Sequence, residues 1–193
     1  MTALLSFSLY ALVSSITPGP ANVLLFGLSS QNGFRKVLRF LLGVLSGFAL
    51  VLIVSALLAA YGIAVSEEVQ LVFKIIGAVF LLYLAVSLWR NARVTAPSDK
   101  AIPGFFLGLL VHITSIKAWL FPLLAFATFA QDSGVGIALV KAAIFFGAAV
   151  VSHVLWVALG AGAHSRLNPT TLLWINRGSA VCLVALIIFA VLA

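Results

Sequence analysis

Acidic residues and cysteine are almost absent from this sequence, and each absence excludes a kind of site. The four acids are Glu67, Glu68, Asp99 and Asp132, and none of them lies inside a long apolar stretch. A divalent-cation path or a proton relay made of carboxylates is therefore not available from one chain. The single cysteine, Cys182, excludes a disulfide framework, a dithiol redox pair and a multi-thiolate metal site. With only three histidines besides, we expect neither a bound metal nor a cofactor.

Charged residues of both signs are scarce, and apolar residues are in large excess. The 193 residues are 64% apolar and 8% charged, and the mean hydropathy is +1.26. A soluble domain is about 45–50% apolar and about 25% charged, so the composition excludes a soluble or a disordered protein. We expect one membrane domain over residues 1–193, without a second soluble one. The net charge of +7 is spread between apolar segments, which indicates a lipid bilayer as partner rather than nucleic acid.

Six apolar stretches are each long enough to cross a bilayer. They are Leu4–Ser30, Leu38–Ala60, Val69–Trp89, Phe105–Phe129, Gly136–Gly160 and Leu172–Ala193. In lipid only helices and closed barrels satisfy their own backbone hydrogen bonds, and these stretches are too long and too continuously apolar for barrel strands. The sequence therefore predicts an all-α protein of six transmembrane helices. No basic residue precedes Arg35, so we expect the first stretch to be a membrane segment rather than a signal peptide.

Basic residues concentrate in the first, third and fifth connectors. They are Arg35, Lys36, Arg39, Arg90, Arg93, Lys100, Arg166 and Arg177, whereas Lys74 and Lys141 lie on the other side with Glu67, Glu68 and Asp132. This bias predicts that those connectors are cytoplasmic and that both termini face outward. The two halves, approximately 1–95 and 101–193, then have opposite orientations, which is the layout of an inverted repeat. Ile16-Thr17 and Ala21 recur as Ile113-Thr114 and Ala118, 97 residues later.

The segment Thr17-Pro18-Gly19-Pro20-Ala21-Asn22 interrupts the first apolar stretch. Its prolines remove backbone donors and clash with the preceding turn, so we expect a helix broken at Thr17–Pro20, with unpaired backbone groups beside a cavity. The free amides of the second half-helix would suit an anionic group. Asn22 is placed to hold either the unwound backbone or a ligand. The alternative is a proline kink with a packing role only.

Lys117 is a cation near the centre of the fourth stretch, roughly 18 Å from either end. A lysine at this depth costs about 2.5–3.5 kcal/mol on insertion scales, so it is expected to face the interior of the bundle. The hypothesis is that Lys117 binds a substrate carboxylate or takes part in proton transfer. The alternatives are a structural lysine bonded to carbonyls of the broken first span, or a position nearer the interface.

Polar residues precede Lys117 in the same stretch. Helical spacing places His112 and Ser115 on one face with Trp119, and Thr114 on an adjacent face with Lys117. The candidates for substrate binding are Thr17, Pro18, Gly19, Pro20, Asn22, Thr114, Ser115 and Lys117. The candidates for proton coupling are His112, His153 and Lys117, with a hydrogen-bonded packing role as the alternative for each histidine.

Two glycine pairs, Gly43-x-x-x-Gly47 and Gly104-x-x-x-Gly108, predict close helix packing within the chain. A homodimer is the alternative use of these pairs.

The sequence resembles the lysine-exporter (LysE/RhtB) family of bacterial amino-acid exporters. The resemblance rests on Thr17-Pro-Gly-Pro-Ala-Asn22, continues through Gly33, Gly43 and Gly47, and extends to Gly77-Ala-Val-Phe-Leu-Leu-Tyr-Leu84 and Trp89-Arg90. In the fourth span the family has Asn-Pro-Lys, where this chain has Ser115-Ile116-Lys117, so the lysine matches and the asparagine and proline do not.

The resemblance implies a secondary transporter in the bacterial cytoplasmic membrane that exports amino acids or related small metabolites, driven by the proton gradient. It also implies a site between the first-span break and Lys117. Three alternatives stay open at this point: ion or metal efflux, a membrane-embedded enzyme using Thr114, Ser115, Lys117 and His112, and a scaffold subunit without transport. No enzyme signature surrounds these four residues, so we expect a carrier and not an enzyme.

Overall fold

The computed structural model describes residues 2–62, 67–90, 102–129 and 134–192. These ranges form eight α-helices and contain no strand. The helices are α1 (Thr2–Ile16), α2 (Pro20–Asn32), α3 (Phe34–Ala60), α4 (Glu67–Arg90), α5 (Phe105–Ile113), α6 (Ile116–Thr128), α7 (Val135–Arg166) and α8 (Pro169–Leu192).

Each predicted apolar stretch coincides with one helix or with a bent pair of helices. The first stretch is the pair α1–α2 and the fourth is the pair α5–α6, and each pair is bent by 49°. Helices α3 and α7 are long and apolar enough to cross a bilayer, and counting each bent pair as one span gives up to four candidate spans in the described residues. The all-α membrane fold is confirmed, whereas the arrangement of six spans stays a prediction. The boundary of the half-repeats, near 95–101, lies outside the described residues.

The predicted break in the first span is confirmed. Helix α1 ends at Ile16, and α2 begins at Pro20 with Gly19 as its N-terminal cap. Proline suits the first helical position, because the amide it lacks would have no partner there. Gly19 is extended, with φ −155° and ψ 171°, and this conformation separates the two half-helices.

The fourth span is also broken, at Thr114–Ser115, although neither residue is a proline or a glycine. Ser115 has an extended backbone (φ −85°, ψ 117°) and caps the start of α6. The hydroxyl of Thr114 donates to the carbonyl of Leu110 at 2.8 Å, at the end of α5. The face assignment drawn from unbroken helical spacing is therefore wrong, because two half-helices bent by 49° do not share one periodicity.

Helix α3 lies very close to α5 through three glycines. A Cβ added at Gly43 or Gly47 would overlap the backbone of Phe105 or Leu109, and one added at Gly108 would overlap the carbonyl of Phe40. These glycines therefore serve packing within the chain. Gly104, the remaining glycine of the predicted pairs, has no side-chain or backbone neighbour within 4 Å of such a Cβ.

Each broken span packs mainly against a helix of the opposite half of the chain. Helices α1 and α2 pack on α7, and α5 and α6 pack on α3. Helices α3 and α7 contact each other, and α4 packs against α8. Side chains at the break ends of α1, α2, α5 and α6 therefore meet those of α3 and α7 around one cavity.

Candidate functional site

The two breaks line one small cavity. Its volume is about 40 Å³, enough for a few water molecules. The lining residues are Ser14, Ser15, Gly19, Pro20, Ala21, Asn22, Phe48, His112, Ser115, Lys117, Ala118, Phe121, Pro122, Phe145, Ala149 and His153. The cavity therefore combines a cation, two imidazoles and several neutral polar groups, and no carboxylate lines it in the described part of the chain.

The ammonium of Lys117 binds the unwound backbone of the first break. Its Nζ donates to the carbonyl of Thr17 at 2.9 Å and to the carbonyl of Pro18 at 3.4 Å. These carbonyls follow the end of α1, which is the negative end of the helix dipole. Lys117 itself stands in the first turn of α6, at a positive helix end, so its side chain joins opposite ends of two half-helices.

Gly19 makes room for the Lys117 side chain. A Cβ added at Gly19 would lie 2.9 Å from Cδ and 3.0 Å from Nζ of Lys117. Any larger residue would have to displace the lysine. On the opposite side, the ring of Phe121 lies 5.4 Å from Nζ, within reach of a cation–π interaction.

Asn22 is buried, with 4% of its surface exposed, and braces the break from α2. Its Nδ2 donates to the carbonyls of Ser15 at 2.8 Å and Thr17 at 3.1 Å. Its Oδ1 has no hydrogen-bond partner within the described structure, and neither has Oγ of Ser15 nor Nδ1 of His112. A buried polar atom without a partner costs about 1–3 kcal/mol. All three residues line the cavity, so a polar ligand can satisfy these atoms.

His112 and His153 form an edge-to-face pair that lines the cavity. Their rings are 5.2 Å apart and nearly perpendicular, and the side chains are 6% and 4% exposed. Nδ1 of His153 lies 2.5 Å from the carbonyl of Ala149, and the His112 ring lies against the ring of Phe48, 4.7 Å between centroids. Both imidazoles lie within electrostatic reach of Lys117. The sequence candidates for proton transfer are thus brought together in one place.

Three of the predicted binding residues keep their side chains out of the cavity. Thr17 and Pro18 are exposed and contribute only their carbonyls. The hydroxyl of Thr17 donates to the carbonyls of Val13 at 2.5 Å and Ser14 at 3.2 Å. Thr114 is buried, but its hydroxyl is bonded to Leu110. The structure brings together Gly19, Pro20, Asn22, Ser115 and Lys117 from the predicted set.

The sequence interpretation missed several lining residues. Pro122 lies inside α6 and cannot donate to the carbonyl of Ala118, four residues earlier, so this carbonyl loses its usual helical partner. Pro122 could have been selected from the sequence, because a proline within an apolar stretch indicates a carbonyl without its helical partner. Ser15 and the aromatic walls Phe48 and Phe145 had no such signal, because serine and phenylalanine are ordinary in membrane helices.

No group of three or more histidine, cysteine or acidic side chains placed to hold a metal ion occurs in the described residues.

The model of a family described as LysE type translocator matches residues 12–193 of the chain. The cysteine/O-acetylserine efflux protein of Klebsiella pneumoniae subsp. pneumoniae is 29% identical over 128 residues, which cover 66% of this chain and 65% of the relative. No solved structure matches the chain.

Two further relatives carry the same description. The protein of Salmonella paratyphi A is 29% identical over 127 residues, covering 64% of each chain. The protein of Escherichia coli K12 is 29% identical over 132 residues, covering 66% of each chain. In each case the match spans slightly less than two thirds of the relative's length.

The family match covers nearly the whole chain and includes both breaks and every lining residue of the cavity. The resemblance drawn from the first-span motif is thereby confirmed. A translocator family also classes the chain with transport proteins rather than with enzymes. The chain belongs to the LysE type translocator family.

Proposed function

We propose that this protein is a secondary-active carrier that exports amino acids or related small metabolites from the cytoplasm. The observation that carries the proposal is the cavity between two broken helices, which holds one cation and three unpartnered polar atoms and no carboxylate among its described lining. Relatives named as cysteine/O-acetylserine efflux proteins support export as the direction.

The chemistry of the cavity suits a zwitterion. A substrate carboxylate can bind the ammonium of Lys117 or the first amides of α2, which have no partner inside their helix. A substrate ammonium can bind backbone carbonyls at the break or Oδ1 of Asn22. A cationic side chain would find no counter-charge among the lining residues, so the cavity favours amino acids with neutral side chains.

The packing of each broken span against a helix of the other half supports an inverted repeat of two three-span halves. Both halves begin with a broken span, and each broken span packs on the second long helix of the other half, α7 or α3. Alternating access would then be a rocking of one half against the other around the cavity. The cavity is built by one chain, so a homodimer is not needed to complete it.

Proton coupling is proposed to use His112, His153 and Lys117. They are the titratable side chains that line the cavity in the described structure, and the two imidazoles are in contact. An imidazole can accept and release a proton, and the charge of a bound substrate acts on a pair of imidazoles that line the same cavity. The location proposed is the bacterial cytoplasmic membrane, with several spans and with both termini outward, as the distribution of basic residues predicts.

The proposal is tested by uptake of labelled L-cysteine and O-acetyl-L-serine into inside-out vesicles with an imposed pH gradient. We expect accumulation that depends on the protein and on the gradient, and competition by neutral amino acids but not by L-lysine. Equal uptake with and without the protein across a broad amino-acid panel would contradict export of amino acids. Competition by divalent metal ions alone would instead favour metal efflux.

A further inference from the structure

We propose that the carbonyls of Thr17 and Pro18 form an ammonium subsite, and that Lys117 occupies this subsite as an internal substitute for the substrate's own ammonium. The inference rests on the proposed function, because it takes the substrate to be a zwitterion. It adds a specificity rule: the substrate must carry a carboxylate to displace Lys117.

The subsite is built for a primary ammonium. Nζ of Lys117 lies 2.9 Å and 3.4 Å from two successive carbonyls that the break releases from helical hydrogen bonding. The α-ammonium of an amino acid has the same three donors and the same charge as a lysine head group. Backbone carbonyls at a helix C-terminus therefore recognise both cations by the same interactions.

The lysine and a substrate ammonium cannot occupy the subsite together. The Lys117 side chain lies directly over Gly19, so that even a methyl group there would be 2.9 Å from Cδ. The remaining space of about 40 Å³ holds a few water molecules rather than a whole amino acid. Binding of an amino acid at the break therefore requires the lysine head group to leave the carbonyls.

The displaced lysine needs a new charge partner, and the carboxylate of a zwitterionic substrate supplies one. No acidic side chain lines the cavity in the described ranges, and a charge that leaves its hydrogen-bond partners without gaining a counter-charge is costly. A zwitterion gives its ammonium to Thr17 and Pro18 and its carboxylate to Lys117, so each charge stays paired. A plain amine would leave two ammonium groups in one cavity. Lys117 thus excludes amines that lack a carboxylate.

The test compares cysteamine, an amine without a carboxylate, with L-cysteine. Binding to the purified full-length protein in detergent is measured by ligand-induced thermal shift and by calorimetry. Wild type is expected to bind L-cysteine and to show no cysteamine binding. Lys117→Met is expected to bind cysteamine at least about tenfold more tightly than wild type, and to bind L-cysteine more weakly.

Lys141→Met is the matched control. Lys141 also donates to a backbone carbonyl, that of Phe129 at 2.6 Å; it is buried, whereas Lys117 is half-buried, and it does not line the cavity. It is expected to keep the wild-type preference. Should Lys117→Met fail to fold, Gly19→Ala gives an independent test, because the added methyl group moves the lysine off the carbonyls without removing its charge. Its extended backbone accepts alanine, and we expect weaker L-cysteine binding with a lower melting temperature.

The outcomes separate the inference from the proposed function. If wild type binds L-cysteine and folded Lys117→Met binds cysteamine no better than wild type, the internal-substitute role is overturned and export stands. If wild type binds cysteamine as tightly as L-cysteine, the specificity rule is overturned. If wild type binds no amino acid of the panel, the proposed function fails and the inference fails with it.

Discussion

The break in the first span and the break in the fourth span end their half-helices with the same hydrogen bonds, but they present different chemical groups to the cavity. With an offset of 97 residues, Thr17 corresponds to Thr114. Each threonine closes its half-helix in the same way: the amide donates to the carbonyl four residues earlier, at 3.1 Å and 3.0 Å, and the hydroxyl donates to that carbonyl too. The same local structure therefore ends both half-helices.

A side chain of the second half-helix, α2 or α6, stabilises each break by hydrogen bonds, and the two side chains are at corresponding positions. Asn22 corresponds to Trp119, and both donate a side-chain N–H to carbonyls at the end of the preceding half-helix. Asn22 reaches Ser15 and Thr17, whereas Nε1 of Trp119 reaches Ile113 at 2.8 Å.

The difference between the breaks lies in what they present to the cavity. The first break contains Pro18-Gly19-Pro20 and presents the backbone carbonyls of Thr17 and Pro18 as hydrogen-bond acceptors. The second has Lys117 at the position that corresponds to Pro20 and presents a cation. The local structure is shared, and the residues of the proposed binding site are those in which the two breaks differ. Acceptors in one half and a donor in the other can pair only across the interface between the halves.

Removing the cation from the second break should have the largest effect. Lys117→Met removes the ammonium that donates to the carbonyls of Thr17 and Pro18, and it leaves the substrate carboxylate without its proposed partner. A hydrogen bond to a charged group contributes about 1.5–3 kcal/mol, so we expect the loss of the ammonium's bonds to lower transport by about a hundredfold or more in inside-out vesicles. Membrane insertion, followed by immunoblot, should be unchanged. Near-normal transport by Lys117→Met would mean that the lysine has only a structural role. The difference between the two breaks would then have no importance for transport.

Replacing His112 and His153 tests whether their imidazoles, which lie near the second break, couple transport to the proton gradient. In His153→Gln, an amide can still donate to the carbonyl of Ala149, but it does not titrate. We expect downhill transport to remain and gradient-driven accumulation to disappear, with the same result for His112→Gln. His164→Gln is the control, because His164 bonds the carbonyl of Ser30 at 2.9 Å, outside the cavity. Full accumulation in both cavity variants would exclude the pair from coupling.

Removing the side-chain hydrogen bonds of Asn22 and Trp119 compares the two breaks directly. Asn22→Ala loses two hydrogen bonds from a buried amide, and we expect about 1–3 kcal/mol of lost stability and about tenfold slower transport. Trp119→Phe loses the bond to Ile113 and keeps most of the ring packing, so about 1 kcal/mol and a smaller transport effect are expected. Thermal unfolding in detergent and vesicle uptake measure both. A stronger transport defect at Trp119 would reverse the assignment of the ligand-binding side.

The smallest effect is expected from the paired threonines. Thr17→Val and Thr114→Val each remove one hydroxyl bond to a helical carbonyl, which is worth about 0.5–1.5 kcal/mol. We expect similar small decreases in melting temperature and less than about twofold change in transport, because neither side chain lines the cavity. A large transport loss in either variant would restore these residues to the substrate-binding set that the sequence predicted.

Much of the fold could be predicted because its determinants act locally. Each apolar stretch corresponds to a helix or a bent pair, since burial in lipid depends on the residues of that stretch alone. The first break could be predicted because proline excludes helix geometry wherever it stands. The second break could not, because it depends on Thr114 and Ser115, which are compatible with an unbroken helix.

The sequence by itself determined the membrane class, the helical stretches, the break at Thr17–Pro20, the presence of a cation within the fourth apolar stretch and the family. Only the tertiary structure decided which groups meet. Lys117 binds Thr17, 100 positions away, and His112 contacts His153 because α5 and α7 lie around the same cavity. The physical reason is that hydrophobicity and backbone restriction belong to single segments, whereas hydrogen bonds and charge pairing across a cavity depend on distances that only the packing of helices establishes.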